Sequence, residues 1–416
     1  MTAESLLRLP EPGALLREAQ ALLPGVIDVR RSLHRAPELG LHLPRTQRTV
    51  LDALAGLPLT VTTGERLSSV TATLHGARPG RTMLLRGDMD ALPQQEDTGL
   101  EFASGVPGAM HACGHDLHTA MLVGAARLLS ARRAELSGNV VFMFQPAEES
   151  GGGAQFMIDE GVLDTPAGHG ADAAFALHVA TRFESGTLNL RSGPTYAASD
   201  QIHITVRGRS GHASTPHVAL DPVPVACAIV QALQTLVTRT VDVFDPAVVT
   251  ITRIQAGTTT NIIPETAALH GTFRTLGPQA RARLREGIER VARHVAAAHG
   301  AEADIDLIEG YPALHNDAAF ARTVAVAAAS VSPDVVRELP EPVMGAEDFS
   351  YVLERVPGVM GVLGARPPSV PAEDAPDCHS NHVVFDEGAM ATGIAVHAAV
   401  ALHHLAGGGD GGAAPV

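Results

Sequence analysis

The chain has 416 residues, of which 45% are hydrophobic and 18% are charged, so it is long enough for two domains and apolar enough for a sizeable core. Its 45 acidic residues outnumber its 30 basic residues, all of them arginine, which gives a formal net charge of −15. The apolar fraction excludes disorder as the main state, and the negative charge argues against a protein that binds nucleic acid or an anionic membrane.

The three cysteines are too few for a disulfide framework, which favours a reducing compartment. The first 20 residues lack the basic start and the long apolar run of a secretory signal, and the other apolar stretches are short or interrupted. We therefore predict a cytoplasmic protein without a membrane span.

The first half of the chain alternates between helical and strand patterns. Residues 15–36 carry apolar side chains at helical spacing, which predicts an amphipathic helix. Short apolar runs at 82–86, 140–144 and 173–177 predict buried strands, and 119–132 predicts a helix. This alternation predicts an α/β domain with a mostly parallel central sheet flanked by helices.

The middle of the chain has a different pattern. It predicts, in order, a strand at 201–207, a helix at 221–239, strands at 247–255 and 266–275, a helix at 280–299 and a strand at 303–308. The order β-α-β-β-α-β is that of a ferredoxin-like unit. We therefore predict an α+β domain over 198–309, inserted between two parts, 1–197 and 310–416, of the α/β domain.

The end of the chain returns to α/β character. Residues 358–363 predict a strand and 387–405 predict a closing helix. The tail at 407–416 is rich in Gly and Ala, and we expect it to fray.

One segment, 111–118 (HACGHDLH), concentrates potential metal ligands before a predicted helix. Cysteine thiolate and histidine imidazole are suitable ligands for Zn, Mn, Co or Ni. The two-residue step between Cys113 and His115 would place both side chains on one side of an extended loop, facing one ion. The alternative is a His-rich helix cap with a buried cysteine.

Two adjacent glutamates, Glu148 and Glu149, follow the predicted strand 140–144. Adjacent carboxylates repel each other unless a positive group holds them. Metal-assisted hydrolysis needs one carboxylate as a ligand and another as the general base on a water, so neighbours can divide these roles. The alternative is a solvated acidic turn.

Three further side chains fall where a metal site at this edge of the sheet would need them. His178 ends the predicted strand 173–177, and His379 lies near the C-terminus. Asp90 follows the predicted strand 82–86 and could hold a ligand histidine in position. Each suits a structural role when taken alone. Because ligands in such sheets bind beyond the carboxyl ends of the strands, the convergence of these groups predicts a metal site.

Nine motifs in the chain together resemble the zinc-type M20 metallopeptidase family, in particular its branch of N-acyl amino acid amidohydrolases and hippurate hydrolases. They are 32–38 (SLHRAPE), 86–93 (RGDMDALP), 111–116 (HACGHD), 145–149 (QPAEE), 176–178 (ALH), 211–214 (GHAS), 260–264 (TNIIP), 345–349 (GAEDF) and 378–380 (CHS). The resemblance covers nearly the whole chain. It implies a catalytic α/β domain interrupted by a smaller lid domain that commonly dimerises.

The resemblance also implies roles for individual residues. It implies a site for two divalent ions (Zn, Mn, Co or Ni), with five ligands: Cys113, His115, Glu149, His178 and His379. Glu148 resembles the general base that activates a bridging water, and Asp90 resembles the carboxylate that supports a ligand. In the lid domain, His212 resembles the residue that steadies the oxyanion, commonly across a dimer. Asn261 and Arg274 resemble groups that meet the substrate carboxylate.

The implied function is metal-dependent hydrolysis of the amide bond of a small N-acyl amino acid by a homodimer, without nucleic-acid or membrane partners. A dipeptidase or carboxypeptidase of the same superfamily is the alternative, although Cys113 in place of a bridging Asp weighs against it. A binding protein that has lost the chemistry is a third possibility, which the presence of Glu148 and all five ligands argues against. The chain departs from the common pattern at 180–183 (ATRF), where a Pro is usual, and at Asn381, which makes His382 an alternative ligand.

Overall fold

The computed structural model describes residues 9–164 and 170–406. The first eight residues, part of the segment predicted not to be a secretory signal, and the tail predicted to fray lie outside the described residues. The chain divides into a large unit (Met1–Gly193, His315–Pro340 and Tyr351–Val416) and a small unit (Pro194–Leu314 and Glu341–Ser350). The domain limits of 1–197, 198–309 and 310–416 stay a prediction.

The helices and strands alternate along the chain. The helices are α1 (Ala14–Arg35), α2 (Pro44–Leu54), α3 (His115–Ala131), α4 (Gly153–Asp159), α5 (Pro222–Thr240), α6 (Pro278–Ala298), α7 (Ala318–Val331), α8 (Ser350–Leu353) and α9 (Ala389–Ala406). The strands are β1 (Leu59–Thr63), β2 (Val70–His75), β3 (Arg78–Asp88), β4 (Ser137–Gln145), β5 (Ala173–Glu184), β6 (Leu188–Leu190), β7 (Gly193–Tyr196), β8 (Ala198–Arg207), β9 (Gly211–His212), β10 (Ala247–Ala256), β11 (Ile262–Ile263), β12 (Thr266–Thr275), β13 (Glu302–Ile308), β14 (Leu314–Asn316), β15 (Val336–Glu338) and β16 (Gly358–Arg366).

The large unit is built on an eight-stranded sheet in the order β1-β2-β4-β3-β5-β16-β6-β15. Its centre is parallel, because β4, β3, β5 and β16 pair in parallel, whereas β1, β2 and β6 join through antiparallel pairs. Helices α1, α3 and α9 pack on one another, and α3 and α9 also pack on the sheet. The predicted α/β fold with a parallel-rich central sheet is confirmed.

The small unit contains a four-stranded antiparallel sheet in the order β10-β12-β8-β13. Its side chains alternate as expected for a sheet with one covered face. On β8, Ile202, Ile204 and Val206 are buried in the core with α5 and α6, whereas His203 and Thr205 on the other face are only partly buried. The predicted ferredoxin-like order of elements is confirmed.

Two helices, α5 and α9, are long and apolar enough to cross a membrane by length and composition alone. For α9, 83% of the most apolar window is buried, so packing in the core explains its composition. For α5 the share is 28%, and its buried residues Val225, Ile229, Leu233 and Leu236 recur at helical spacing against the small sheet. The absence of a membrane span stays a prediction.

Two predictions about local structure were wrong. Cys113 and His115 do not lie on one extended loop, because α3 begins at His115 rather than at 119. Gly114 makes this possible, since its φ of 80° turns the chain directly into the helix. His178 does not end its strand, because β16 pairs with β5 beyond that position and β5 continues to Glu184.

Candidate metal centre

The large unit brings all five predicted ligands together near the carboxyl ends of its central strands. Their ligand atoms form two groups of three, within each of which the atoms lie within 4.8 Å of one another. One group contains Cys113, His115 and His178, and the other contains Cys113, Glu149 and His379. Because both groups contain Cys113, its sulfur lies beside two adjacent positions that could each hold an ion.

The ring of His178 has the protonation state of a neutral metal ligand. Its Nδ1 donates a hydrogen bond to the backbone oxygen of Val179 over 2.7 Å, so the ring proton is on Nδ1. Its Nε2 lies 3.3 Å from Sγ of Cys113, where the two atoms could share an ion. Burial lowers the pKa of His178 to about 3, which keeps the ring unprotonated.

The thiol of Cys113 requires a neighbouring cation to ionise. Contact with the Cys378 thiol, burial and the charge of Glu149 all raise the pKa of Cys113 well above its usual value. A bound metal ion supplies the positive charge that turns such a thiol into a thiolate ligand.

Three carboxylates converge on His115, which is buried. Its Nδ1 lies 3.5 Å from Asp90, and its Nε2 lies 3.6 Å from Asp88 and 3.9 Å from Glu149. Burial lowers the pKa of His115, but Asp88, Asp90 and Glu149 outweigh burial and hold that pKa well above its usual value. The arrangement therefore favours a positive charge at this position.

Buried polar atoms without hydrogen bonds also mark the site. Among the described residues, both ring nitrogens of His115 and Oε1 of Glu149 are buried and make no hydrogen bond. Such atoms are costly unless a ligand satisfies them. Thiolate, imidazole and carboxylate donors are also the set that Zn²⁺ and its neighbours in the first transition row prefer. The residues present therefore fit a pair of divalent ions.

Asp90 fixes the backbone of the two glutamates. Its two carboxylate oxygens accept hydrogen bonds from the backbone N–H groups of Glu148 at 2.9 Å and Glu149 at 3.0 Å. The preceding residue, Ala147, has a φ of 59°, a conformation that non-glycine residues rarely adopt. Asp90 thus supports the glutamate pair, a role that the sequence did not reveal, as well as contacting His115.

His379 is presented by a similarly unusual backbone, with a φ of 69°. Its N–H donates to the backbone oxygen of Ala112 over 2.9 Å, which ties its loop to the segment that carries Cys113. The alternative ligand His382 belongs to neither ligand group, and its Nδ1 lies 2.7 Å from the backbone oxygen of Asp97.

His118, another potential ligand of the segment 111–118, has both ring nitrogens occupied. Its Nδ1 lies 2.6 Å from Oδ1 of Asp88, and its Nε2 accepts the backbone N–H of Val179 over 2.8 Å. Arg86 in turn donates from Nη1 to Oδ2 of Asp88 over 2.6 Å. Both residues belong to the motif 86–93, but sequence reasoning missed their pairing, although two charged residues at a spacing of two in an apolar strand were a signal that both are buried and paired.

Helix α1, which includes the start of the motif 32–38, contacts the start of α3. Oδ2 of Asp116 accepts a hydrogen bond from Nε of Arg30 and contacts Nδ1 of His34, each over 2.8 Å. Asp116 follows the ligand His115, so this buried contact anchors the start of α3. The sequence showed the motif but not this partner.

The three predicted residues of the inserted domain lie in the small unit. His212 is exposed on β9, which pairs with β11, and the backbone oxygen of the neighbouring Asn261 accepts the N–H of Ala213 over 3.1 Å. Arg274 is partly buried on β12. Burial lowers its pKa, and no hydrogen bond to its guanidinium is found among the described residues.

Gly114 provides a test of how tightly the site is built. A Cβ at this position would lie 2.3 Å from Cγ2 of Val179, and the φ of 80° is itself unfavourable for alanine. Gly40 has a φ of 74° with nothing within 4 Å of its Cβ position, so it isolates the backbone cost. We expect Gly40→Ala to lower the free energy of unfolding by about 1–2 kcal/mol. Gly114→Ala should lower the free energy of unfolding by about 1–3 kcal/mol more than Gly40→Ala, because of the clash with Val179, and should reduce metal content.

Denaturant unfolding and metal analysis of both variants check this expectation. Equal destabilisation by the two substitutions would contradict the close packing of Gly114 on Val179.

Two groups of potential ligands that share Cys113, with the carboxylate of Glu148 beside them, are the arrangement expected of a dinuclear metallohydrolase centre. Residues 84–403 match Peptidase family M20/M25/M40, and the chain belongs to this family. The chain is similar to the N-acetylcysteine deacetylase of Bacillus subtilis, with 39% identity over 342 residues that cover 82% of this chain and 88% of the relative. It is also similar to thermostable carboxypeptidase 1 of Saccharolobus solfataricus, with 37% identity over 385 residues, or 91% and 94% of the two chains.

A solved structure agrees with this assignment. The Bacillus subtilis YXEP protein, described as a dinuclear metal binding peptidase from the M20 family, has 35% sequence identity and a TM-score of 0.81. The similarity covers 93% of this chain and 99% of that structure. The predicted family is therefore confirmed, and the described residues contain ligand groups that could hold two ions.

Proposed function

We propose that this protein hydrolyses the amide bond of an N-acyl amino acid to a carboxylic acid and a free amino acid. The observation that carries the proposal is the position of Glu148 beside the two ligand groups. Its carboxylate forms a further group with the imidazole of His115 and the carboxylate of Glu149, with ligand atoms within 4.8 Å of one another. The similarity to a deacetylase of an N-acyl amino acid supports this substrate class.

The five residues proposed to hold the two ions are Cys113, His115, Glu149, His178 and His379. Bound ions would polarise the amide carbonyl and make a water more acidic. Glu148 would take a proton from that water as it attacks the carbonyl carbon, and would deliver the proton to the nitrogen that leaves. Asp90 would keep both glutamates aligned through their backbone N–H groups. Water and amide are thereby converted to acid and amine.

His212 is proposed to stabilise the oxyanion that forms on the carbonyl oxygen. Its Nδ1 accepts the backbone N–H of Ser214 over 3.1 Å, so a neutral ring carries its proton on Nε2. The ring thus presents an N–H donor from an exposed position.

His212→Ala should lower kcat about 10²-fold, the effect of losing one oxyanion donor, with metal content unchanged. His217→Ala, an exposed histidine of the same segment, is the control and should be neutral. Steady-state kinetics and metal analysis make the comparison. Loss of bound metal in His212→Ala would instead place His212 among the ligands.

Asn261 and Arg274 are proposed to bind the carboxylate of the substrate. Oδ1 of Asn261 accepts a hydrogen bond from Oγ1 of Thr259 over 3.0 Å, which leaves the amide N–H groups for an acceptor. The guanidinium of Arg274 has no hydrogen-bond partner among the described residues, and a partly buried cation of this kind suits an anionic ligand.

A homodimer through the small unit is also proposed. β10 is an edge strand whose exposed side chains include Val248 and Ile254, and a strand edge of this kind invites pairing with another chain. The opposite edge, β13, is protected by Glu302, Asp304 and Asp306. Helix α5 packs beside β10 and has no charged residue before Arg239.

Light scattering should give a mass of two chains, which an Ile254→Lys change on the β10 edge should reduce to one.

The first test is release of free amine from a panel of N-acetyl, N-benzoyl and indole-acyl amino acids and free dipeptides. Protein stripped with a chelator would receive Mn, Zn, Co or Ni singly. Metal-restored cleavage of the blocked amino acids supports the proposal. Cleavage of peptides alone would favour the second candidate, a carboxypeptidase or dipeptidase, which the similarity to thermostable carboxypeptidase 1 keeps open. A cytoplasmic location without nucleic-acid or membrane partners stays a prediction.

A further inference from the structure

Next to the proposed ligands His115 and His178 lies a chain of buried polar side chains that no proposed catalytic step uses. It consists of Arg86, Asp88 and His118, each at most 1% exposed. Burying such groups is unfavourable unless each is paired, and well-packed apolar residues can be equally stable in their place. Their presence therefore needs an explanation other than stability.

The hydrogen bonds among Arg86, Asp88 and His118 lead in one direction, towards strand β5. Arg86 donates to Oδ2 of Asp88, and Oδ1 of Asp88 lies 2.6 Å from Nδ1 of His118. Because Nε2 of His118 accepts the N–H of Val179 over 2.8 Å, the proton of the neutral ring must be on Nδ1, where Asp88 accepts it. Asp88 therefore fixes the tautomer of His118.

Val179 connects these three buried side chains to the metal centre. Its N–H is held by His118, and its backbone oxygen accepts the hydrogen bond from Nδ1 of His178. The ring of His118 also contacts the rings of both neighbouring ligands, with centroids 4.9 Å from His178 and 5.4 Å from His115. One buried side chain thus touches two of the three members of one ligand group.

The second ligand group depends on different contacts. Glu149 is held through its N–H by Asp90, and the N–H of His379 is held by the backbone oxygen of Ala112. Within the described parts of the chain, His118 makes no contact with Glu149 or His379. His118 therefore contacts members of the first ligand group only, whereas Asp90 contacts His115 in the first group and Glu149 in the second.

We propose that His118 is a positioning residue that sets the affinity of only one of the two ions, the one held by Cys113, His115 and His178, with Asp88 fixing its tautomer. The proposal rests on the proposed function, because it assumes those ligands. It predicts that substituting a residue that binds neither ion can weaken the affinity for one ion and leave the affinity for the other unchanged.

The experiment is a titration of the chelator-stripped full chain with Co²⁺, followed by visible absorption and by metal analysis after gel filtration. We expect wild type to bind two ions. His118→Phe, which keeps a ring of similar size but loses both hydrogen bonds, should bind one ion about 10–100-fold more weakly and the other normally. His118→Gln should recover most of the affinity, because its amide can donate to Asp88 and accept from Val179.

His404→Phe is the matched control, since His404 is also buried, packs on Phe320 and has no contact with His118 or the ligand groups among its described partners. Equal weakening of both ions in His118→Phe, normal binding of both, or the same loss in His404→Phe would each overturn the proposal, as would wild type that binds fewer than two ions. If His118→Phe does not fold, Asp88→Asn applies the same test with the ring in place. Because the readout is metal binding, failure of this proposal is distinct from silence on the substrate panel.

Discussion

Glu148→Gln should retain both metal ions and lower kcat about 10³-fold, within the range expected for loss of a general base. Glutamine has nearly the shape of glutamate but cannot accept the proton of the attacking water. The backbone N–H of Glu148 would still donate to Asp90, so the substitution should not disturb the loop. Metal analysis and steady-state kinetics on an N-acyl amino acid are the measurements.

The neighbouring glutamate supplies the matched control. Glu149→Gln makes the same chemical change one residue away, but Glu149 belongs to the ligand group with Cys113 and His379. It should therefore lose metal as well as activity. Near-normal turnover in Glu148→Gln, or equal metal loss in the two variants, would contradict the assignment of Glu148 as the base.

Cys113→Ala should lose both ions, whereas each histidine substitution should lose one. Cys113 is the only member that the two proposed ligand groups share. His178→Ala removes a ligand from the first group and His379→Ala removes one from the second. Metal analysis of the three variants should give about zero, one and one ions per chain if the thiolate lies between the ions.

Two other cysteines serve as controls for the thiol substitution. Cys227 is exposed on α5, and Cys378 contacts Cys113 but belongs to neither ligand group. Cys227→Ala should leave metal content unchanged, and Cys378→Ala should retain both ions. One ion retained in Cys113→Ala would show that the sulfur binds a single ion.

Some of the proposed ligands could be expected to lie close together from the ends of predicted strands, whereas the ligand set itself came from the resemblance to the M20 family. Glu148 and Glu149 follow β4 directly, and a cluster of His and Cys precedes α3, so the rule that parallel strands present ligands at their carboxyl ends brought them together. The small unit was predictable element by element, because its strands alternate between buried and exposed residues.

Most contacts of the supporting residues were not predictable, since they depend on partners that are distant in sequence. Histidine is a common metal ligand, and only the contacts of His118 with Asp88 and Val179 show that both of its ring nitrogens are occupied. Asp90 similarly binds two backbone N–H groups 58 and 59 residues away. The place of His178 within β5 depended on pairing with β16, which a local apolar run cannot reveal.

The position of β16 in the large sheet determines when the metal centre can be completed during synthesis. β16 lies between β5 and β6, yet the ribosome makes it after both of them and after the main segment of the small unit. The central part of the sheet therefore cannot form until β16 has been made. The pairing of β16 with β5 is non-local, and such pairings are slow to form. His379 follows β16, so a nascent chain that already carries Cys113, His115, Glu149 and His178 still lacks its last proposed ligand. The proposed hydrolysis can then begin only after His379 has left the ribosome.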